Sequence, residues 1–223
     1  MKRLFILVEG ETEERFLRTV IYPHFINLGI HMEAQSWITN RKLGTSGGGS
    51  SFDLIENHLR RLMSRYKNDE SVFFSVMIDL YKFPRQGNTI YDDDVLRIST
   101  GKDKAVLLQR KMWNRFSNKN FVPYVQLHEF EALLLSKPTE LSVFYTDKGK
   151  EIQALIKEIQ GLLPEDINET PEGAPSKRII KHIPTYKHQK TSAGVTTAAR
   201  IGLEHLRDTC SHFNAWITRL EAI

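Results

Sequence analysis

Two acids stand where short apolar runs stop. Arg3 to Val8 (RLFILV) ends at Glu9-Gly10, and Val72 to Ile78 (VFFSVMI) ends at Asp79. Runs this short and this apolar read as strands buried on both faces of a parallel sheet. Each acid then falls at the C-terminal end of a strand, where open α/β sheets bind their ligands. Two carboxylates side by side repel each other, and a divalent cation between them relieves that repulsion. Hard oxygen ligands suit Mg²⁺ or Mn²⁺, which keep waters and take up substrate phosphate oxygens. Glu13 lies one helical turn beyond Glu9 and can face the same pocket. The plainer reading is of solvated carboxylates at a strand end and in a helix's first turn. That reading accounts for either acid alone better than for the pair.

The elements that must position these acids follow from periodicity. After Glu9-Gly10, Phe16, Val20 and Ile21 share one helical face, and Glu11, Glu13 and Glu14 crowd the first turn, with Thr12 as N-cap. A second strand is expected over 30–39. Phe52, Ile55, Leu59 and Leu62 mark an amphipathic helix. A polar loop over 82–102, a helix over 103–116 and a strand over 121–127 complete the alternation. Strand and helix alternating four times predict an α/β fold with a mostly parallel sheet flanked by helices. After Leu127 only helices are expected, the first beginning at His128-Glu129-Phe130-Glu131. The chain is thus expected to divide into an α/β core over 1–135 and a helical lobe over 136–223 packed on it.

Composition narrows the setting. The chain has 223 residues, 40% hydrophobic and 26% charged, with a formal charge of +4, which excludes disorder as its main state. Cys210 is the only cysteine and can close no internal bridge. With no secretory signal evident, a reducing cytoplasm is expected. No apolar run approaches the ~20 residues of a membrane helix.

Other candidates are weaker. Arg41 to Ser51 has the glycine spacing of a P-loop at Gly44 and Gly49, but Ser50-Ser51 stand where Lys-Ser/Thr is required. It reads as a plain Gly/Ser loop, or as a flap whose amides touch a phosphodiester. Basic residues cluster at Arg41-Lys42 and at Lys177, Arg178, Lys181, His182, Lys187, His188 and Lys190, with Tyr186 interleaved. Such stretches can neutralise backbone phosphates and offer an aromatic platform, or simply be a solvated face. Trp113, Phe116, Phe213 and Trp216 are expected to fill interfaces, and Cys210 to be a buried thiol.

Val8-Glu9-Gly10-Glu11-Thr12-Glu13 resembles the opening motif of the Toprim fold, which topoisomerases, bacterial primases and overcoming-lysogenization-defect nucleases share. Asp79-Leu80-Tyr81 matches its later Asp-x-Asp, with Tyr81 in place of the second aspartate. A wider set resembles the family called domain of unknown function 4276. It comprises Asp79-Leu80-Tyr81 with Phe83-Pro84, His128 to Leu134, Pro175 to Arg178, Tyr186-Lys187, and Cys210-x-His212-Phe213-x-x-Trp216. The resemblance implies a Toprim-like fold, a partner ATPase and a role in bacterial defence against phage or plasmids.

Together these residues and resemblances point to a Mg²⁺- or Mn²⁺-dependent phosphodiesterase acting on DNA or RNA. Glu9, Glu13, Asp79 and Glu129 are the expected ligands, with Glu9 ligand or general base. Glu129 is preferred to Glu131 because the two point about 200° apart on a helix and Glu129 is nearer the strand end. His128 is either part of that site or a packing histidine. Lys82, Lys177 or Arg178 would steady charge on the phosphate. Arg41, Lys42, Lys177, Arg178, Lys181, Tyr186 and Lys187 would meet nucleic acid. The loss of an aspartate at Tyr81 supports a rival, a catalytically degenerate module that binds nucleic acid or regulates the ATPase. A primase-type transferase would need a zinc ribbon, and none is encoded.

Overall fold

The computed structural model describes residues 1–37, 51–167 and 173–223. Its centre is a four-stranded sheet, all parallel, in the order β2-β1-β3-β4. The strands are β1 (Lys2–Val8), β2 (Ile30–Ser36), β3 (Val72–Asp79) and β4 (Phe121–Gln126). β1 and β3 are the inner strands, which is why their sequences are continuous apolar runs, whereas edge strand β2 alternates. β4 carries Pro123, which an edge strand tolerates. Its outer edge is covered by side chains: the Val125 amide donates to Gln109 and its carbonyl accepts from His212.

Side chains alternate between two cores. Phe5 and Leu7 of β1 and Phe74, Val76 and Ile78 of β3 pack with α3 (Phe52–Arg65) and α5 (Gly101–Phe116), which flank a short α4 (Asp93–Leu96). Leu4, Ile6, Val8 and Met77 face the opposite layer. That layer begins with α1 (Glu11–Phe16), a π-helical turn (Leu17–Ile21) and α2 (Tyr22–Asn27). After β4 come α6 (Glu131–Leu134), α7 (Gly149–Glu158), α8 (Pro175–His182), α9 (Tyr186–Ile201), α10 (Leu203–Thr209) and α11 (Ser211–Glu221). Ile179, Phe213, Trp216 and Leu220 join Leu4 and Ile6 in one core, so residues 136–223 complete the second layer and have no separate interior. The expected α/β architecture with a helical C-terminal part is observed, and it is consistent with a Toprim-like core.

Four local expectations are corrected. Gly10, not Thr12, caps α1, and the Thr12 hydroxyl instead bonds Thr191 of α9 at 2.8 Å. His128 has φ 62°, a left-handed backbone that interrupts the chain, so the helix starts only at Glu131. Residues 191–220, whose pattern suggests one or two helices, fall on three, α9, α10 and α11. Trp113 is 47% exposed on α5 instead of filling an interface among the described residues. The Gly/Ser loop over 41–50, with Arg41 and Lys42, lies outside the described residues. No helix among the described residues is long and apolar enough to cross a membrane.

Candidate functional site

The chain runs from β1 outward to β2, then crosses back over β1 to β3. Connections leaving β1 and β3 therefore diverge, which opens a crevice at their C-terminal ends. Glu9 and Asp79 stand at that point. Asp79 shares the face of Met77 and so points toward the α1–α9 layer. Within this crevice lies a cleft of about 620 Å³ between the start of α1 and α9. Glu9, Glu13 and Ser36 line one side, Lys187, His188, Lys190 and Thr191 the other, and Lys82 also borders it.

Asp79 is buried and Glu9 partly buried, and both are incompletely bonded. Asp79 is 3% exposed, and its Oδ1, like Glu9 Oε2, has no hydrogen-bond partner among the described residues. Lys82 Nζ lies 3.9 Å from Asp79 Oδ2. Burial pushes the Asp79 carboxyl well above the usual range; Lys82 opposes this, while Glu13, Glu9 and Glu131 add to it. Glu9 is raised for the same reason, burial first, with Lys82 opposing and Glu13 adding. Burial draws the Lys82 ammonium down, but Asp79, Glu9, Glu13 and Glu131 outweigh it and hold lysine above its ordinary value. An unbonded buried carboxylate oxygen is costly. A cation is the ligand that would satisfy both oxygens, and the donor set is the hard kind that Mg²⁺ or Mn²⁺ prefers. Among the described residues, however, no three His, Cys, Asp or Glu side chains stand together as a ready-made metal site.

The structure exchanges the expected places of Glu129 and Glu131. The left-handed turn at His128 sends Glu129 to α8, where Oε2 accepts from the Ser176 amide at 3.0 Å. Glu131 is the one whose charge reaches Asp79 and Lys82. It is buried, 3.0 Å from Lys190 Nζ, and accepts from the Tyr186 hydroxyl at 3.4 Å. Burial raises Glu131 and Lys190 lowers it, with a net upward shift. His128 donates Nε2–H to the Glu165 carbonyl at 2.9 Å, a packing role.

The basic stretch is divided. Lys187 borders the cleft, close to the kink of α9 at Gln189. Tyr186 is 0% exposed and bonded to Glu131, so it offers no platform to a base. Arg178 and Lys181 pair with Glu158, together with His182. Lys177 is exposed on α8 and does not border the cleft. Lys190, read from the sequence only as a member of the basic cluster, is the residue of that stretch that pairs with the buried Glu131. Gly194 lets α9 approach: a Cβ there would lie 3.1 Å from the Phe130 ring and 3.2 Å from the Tyr186 hydroxyl.

The C-terminal motif is structural. Burial pushes the Cys210 thiol up to about 12, which leaves it no thiolate nucleophile at neutral pH. His212 donates to Val125, and Trp216 stacks on Tyr124 at 4.4 Å while donating to Ser75.

Comparison with family models finds a match to "Domain of unknown function (DUF4276)" over residues 8–221. No curated protein and no solved structure matches the chain.

Proposed function

The chain belongs to the DUF4276 family, whose description assigns no activity, and we propose from the site itself a metal-dependent phosphodiesterase acting on DNA or RNA. One observation carries this reading: two acids, the partly buried Glu9 and the buried Asp79, end adjacent parallel strands at the switch point, each with a buried oxygen left unbonded. Those two carboxylates would hold the cation, with Glu13 beside them in the cleft. When bound, Mg²⁺ or Mn²⁺ supplies Lewis-acid polarisation of a phosphoryl oxygen and of water. Lys187 on the opposite wall would neutralise phosphate charge, which favours a polyanionic substrate over a neutral one, while Lys190 beside it is paired with Glu131. Apolar layers on both faces of the sheet leave the cleft as the solvent's approach to the acids.

A second reading has its own observation. With Tyr81 exposed where Toprim proteins carry an aspartate, and no three-ligand group among the described residues, a non-catalytic module would also fit. Incubating the protein with single- and double-stranded DNA and RNA in Mg²⁺ or Mn²⁺ separates the two, alone and with the partner ATPase that the resemblance to domain of unknown function 4276 implies. Metal-dependent cleavage, lost in Glu9→Gln and Asp79→Asn, is expected. Nucleic-acid binding with neither cleavage nor metal uptake would establish the module.

A further inference from the structure

Two lysines border the cleft beside buried acids, and they are held differently. Lys190 Nζ is 3.0 Å from Glu131 Oε1, and the same oxygen also accepts from Tyr186. Lys82, in the turn after β3, is 3.9 Å from Asp79 Oδ2, beyond hydrogen-bonding distance. Asp79 does not itself border the cleft, whereas Lys82 does and its side chain is 47% exposed. The ammonium therefore stands between the cleft and the buried carboxylate, on a solvated stem that can swing away. Its charge acts on both Glu9 and Asp79, yet it hydrogen-bonds neither, and Glu9 Oε2 and Asp79 Oδ1 are left without a partner among the described residues.

We propose that the Lys82 ammonium is the resident counter-ion of the Glu9–Asp79 pair and a built-in competitor of the divalent cation. This rests on the metal-dependent reading above. In the metal-free protein Lys82 offsets the repulsion between the acids. A divalent cation bound to them would stand within a few ångströms of the ammonium, and like charges at about 4 Å repel strongly where water is scarce. Metal entry therefore drives Lys82 into the cleft, where a substrate phosphate is its natural new partner. Metal and phosphate-bearing substrate then bind cooperatively, because each favours the position of Lys82 that the other requires. Lys190, anchored to Glu131, keeps its place throughout.

Calorimetric titration of Mn²⁺ into the wild-type chain and into Lys82→Met tests this directly. The variant is expected to bind Mn²⁺ about tenfold more tightly, a change that needs only ~1.4 kcal/mol. Equal or weaker binding by the variant, with wild-type binding intact, overturns the competitor role and leaves the metal site standing. No Mn²⁺ binding by either protein overturns both. Should Lys82→Met fail to fold, the wild-type chain still decides. Acylation of lysines by an amine-specific reagent, read by peptide mass spectrometry, is expected to rise at Lys82 on Mn²⁺ addition and stay constant at Lys190. Unchanged labelling at Lys82 contradicts the proposal.

Discussion

Glu56 and Asp79 are both buried acids, and they lie in opposite electrostatic conditions. Glu56, on α3 between the sheet and solvent, is 8% exposed. Arg60 donates to its Oε1 at 2.8 Å, and Arg115 donates to Oε2 at 2.7 Å. Hydrogen bonding from Arg115 holds its carboxyl below the ordinary value, against the effect of burial. Asp79 has a single loose cation at 3.9 Å, an unbonded oxygen, and three acids around it. The first is a closed network that stabilises the fold. The second is an open one that the fold tolerates at a cost, and such unpaid deficits concentrate at functional sites.

The comparison breaks first at activity. Asp79→Asn is expected to lower metal-dependent cleavage by about 10³-fold or more, while Glu56→Gln leaves it within a factor of about three. Initial rates on a labelled oligonucleotide measure both, and similar losses in the two variants would erase the distinction.

Stability should move in the opposite sense. Glu56→Gln leaves two arginines short of a partner and is expected to cost about 2 kcal/mol, read from urea unfolding. Neutralising Asp79 in the metal-free protein removes an unsatisfied charge, so Asp79→Asn is expected to stabilise by about 1 kcal/mol under the same conditions. A destabilised Asp79→Asn would mean that the open site is structural after all.

Acid titration sharpens the contrast. The folded-state pKa of Glu56 lies below its ordinary value of 4.5, so its contribution is fully present above about pH 4.5. That contribution is lost as pH falls through the folded value. Thermal unfolding of wild type and Glu56→Gln should therefore separate above about pH 4.5 and converge as pH falls through the folded value. Parallel curves would show that Glu56 acts by packing alone.

The smallest effect is expected at Glu158, whose carboxylate pairs with Arg178, Lys181 and His182 on the rim of α8. Glu158→Gln should cost under ~1 kcal/mol and the cost should shrink in high salt. A larger, salt-independent loss would place this cluster with Glu56 as a second closed network.

What the sequence made legible was local. Glu9 and Asp79 could be placed because an apolar run stopped by an acid is a short-range pattern, and the strand order then set them side by side. Glu131 and Lys190 could not, because their meeting depends on long-range packing. His128 turns left-handed and sends Glu129 to α8, and Gly194 lets α9 close on Phe130. Periodicity carries no trace of either. Tyr186 misled for the same reason: flanked by basic residues, it reads as a surface aromatic, yet α9 turns it wholly inward against Glu131. Trp113 is the reverse, an aromatic at a helical spacing that the fold leaves on the outside.

The central claim is that Glu9 and Asp79 together hold a divalent cation. Anomalous diffraction from crystals soaked in Mn²⁺ tests it most directly. A single strong peak at bonding distance from both carboxylates, absent in crystals of Asp79→Asn, is the predicted result. Crystals saturated with Mn²⁺ that show no peak there would contradict the account.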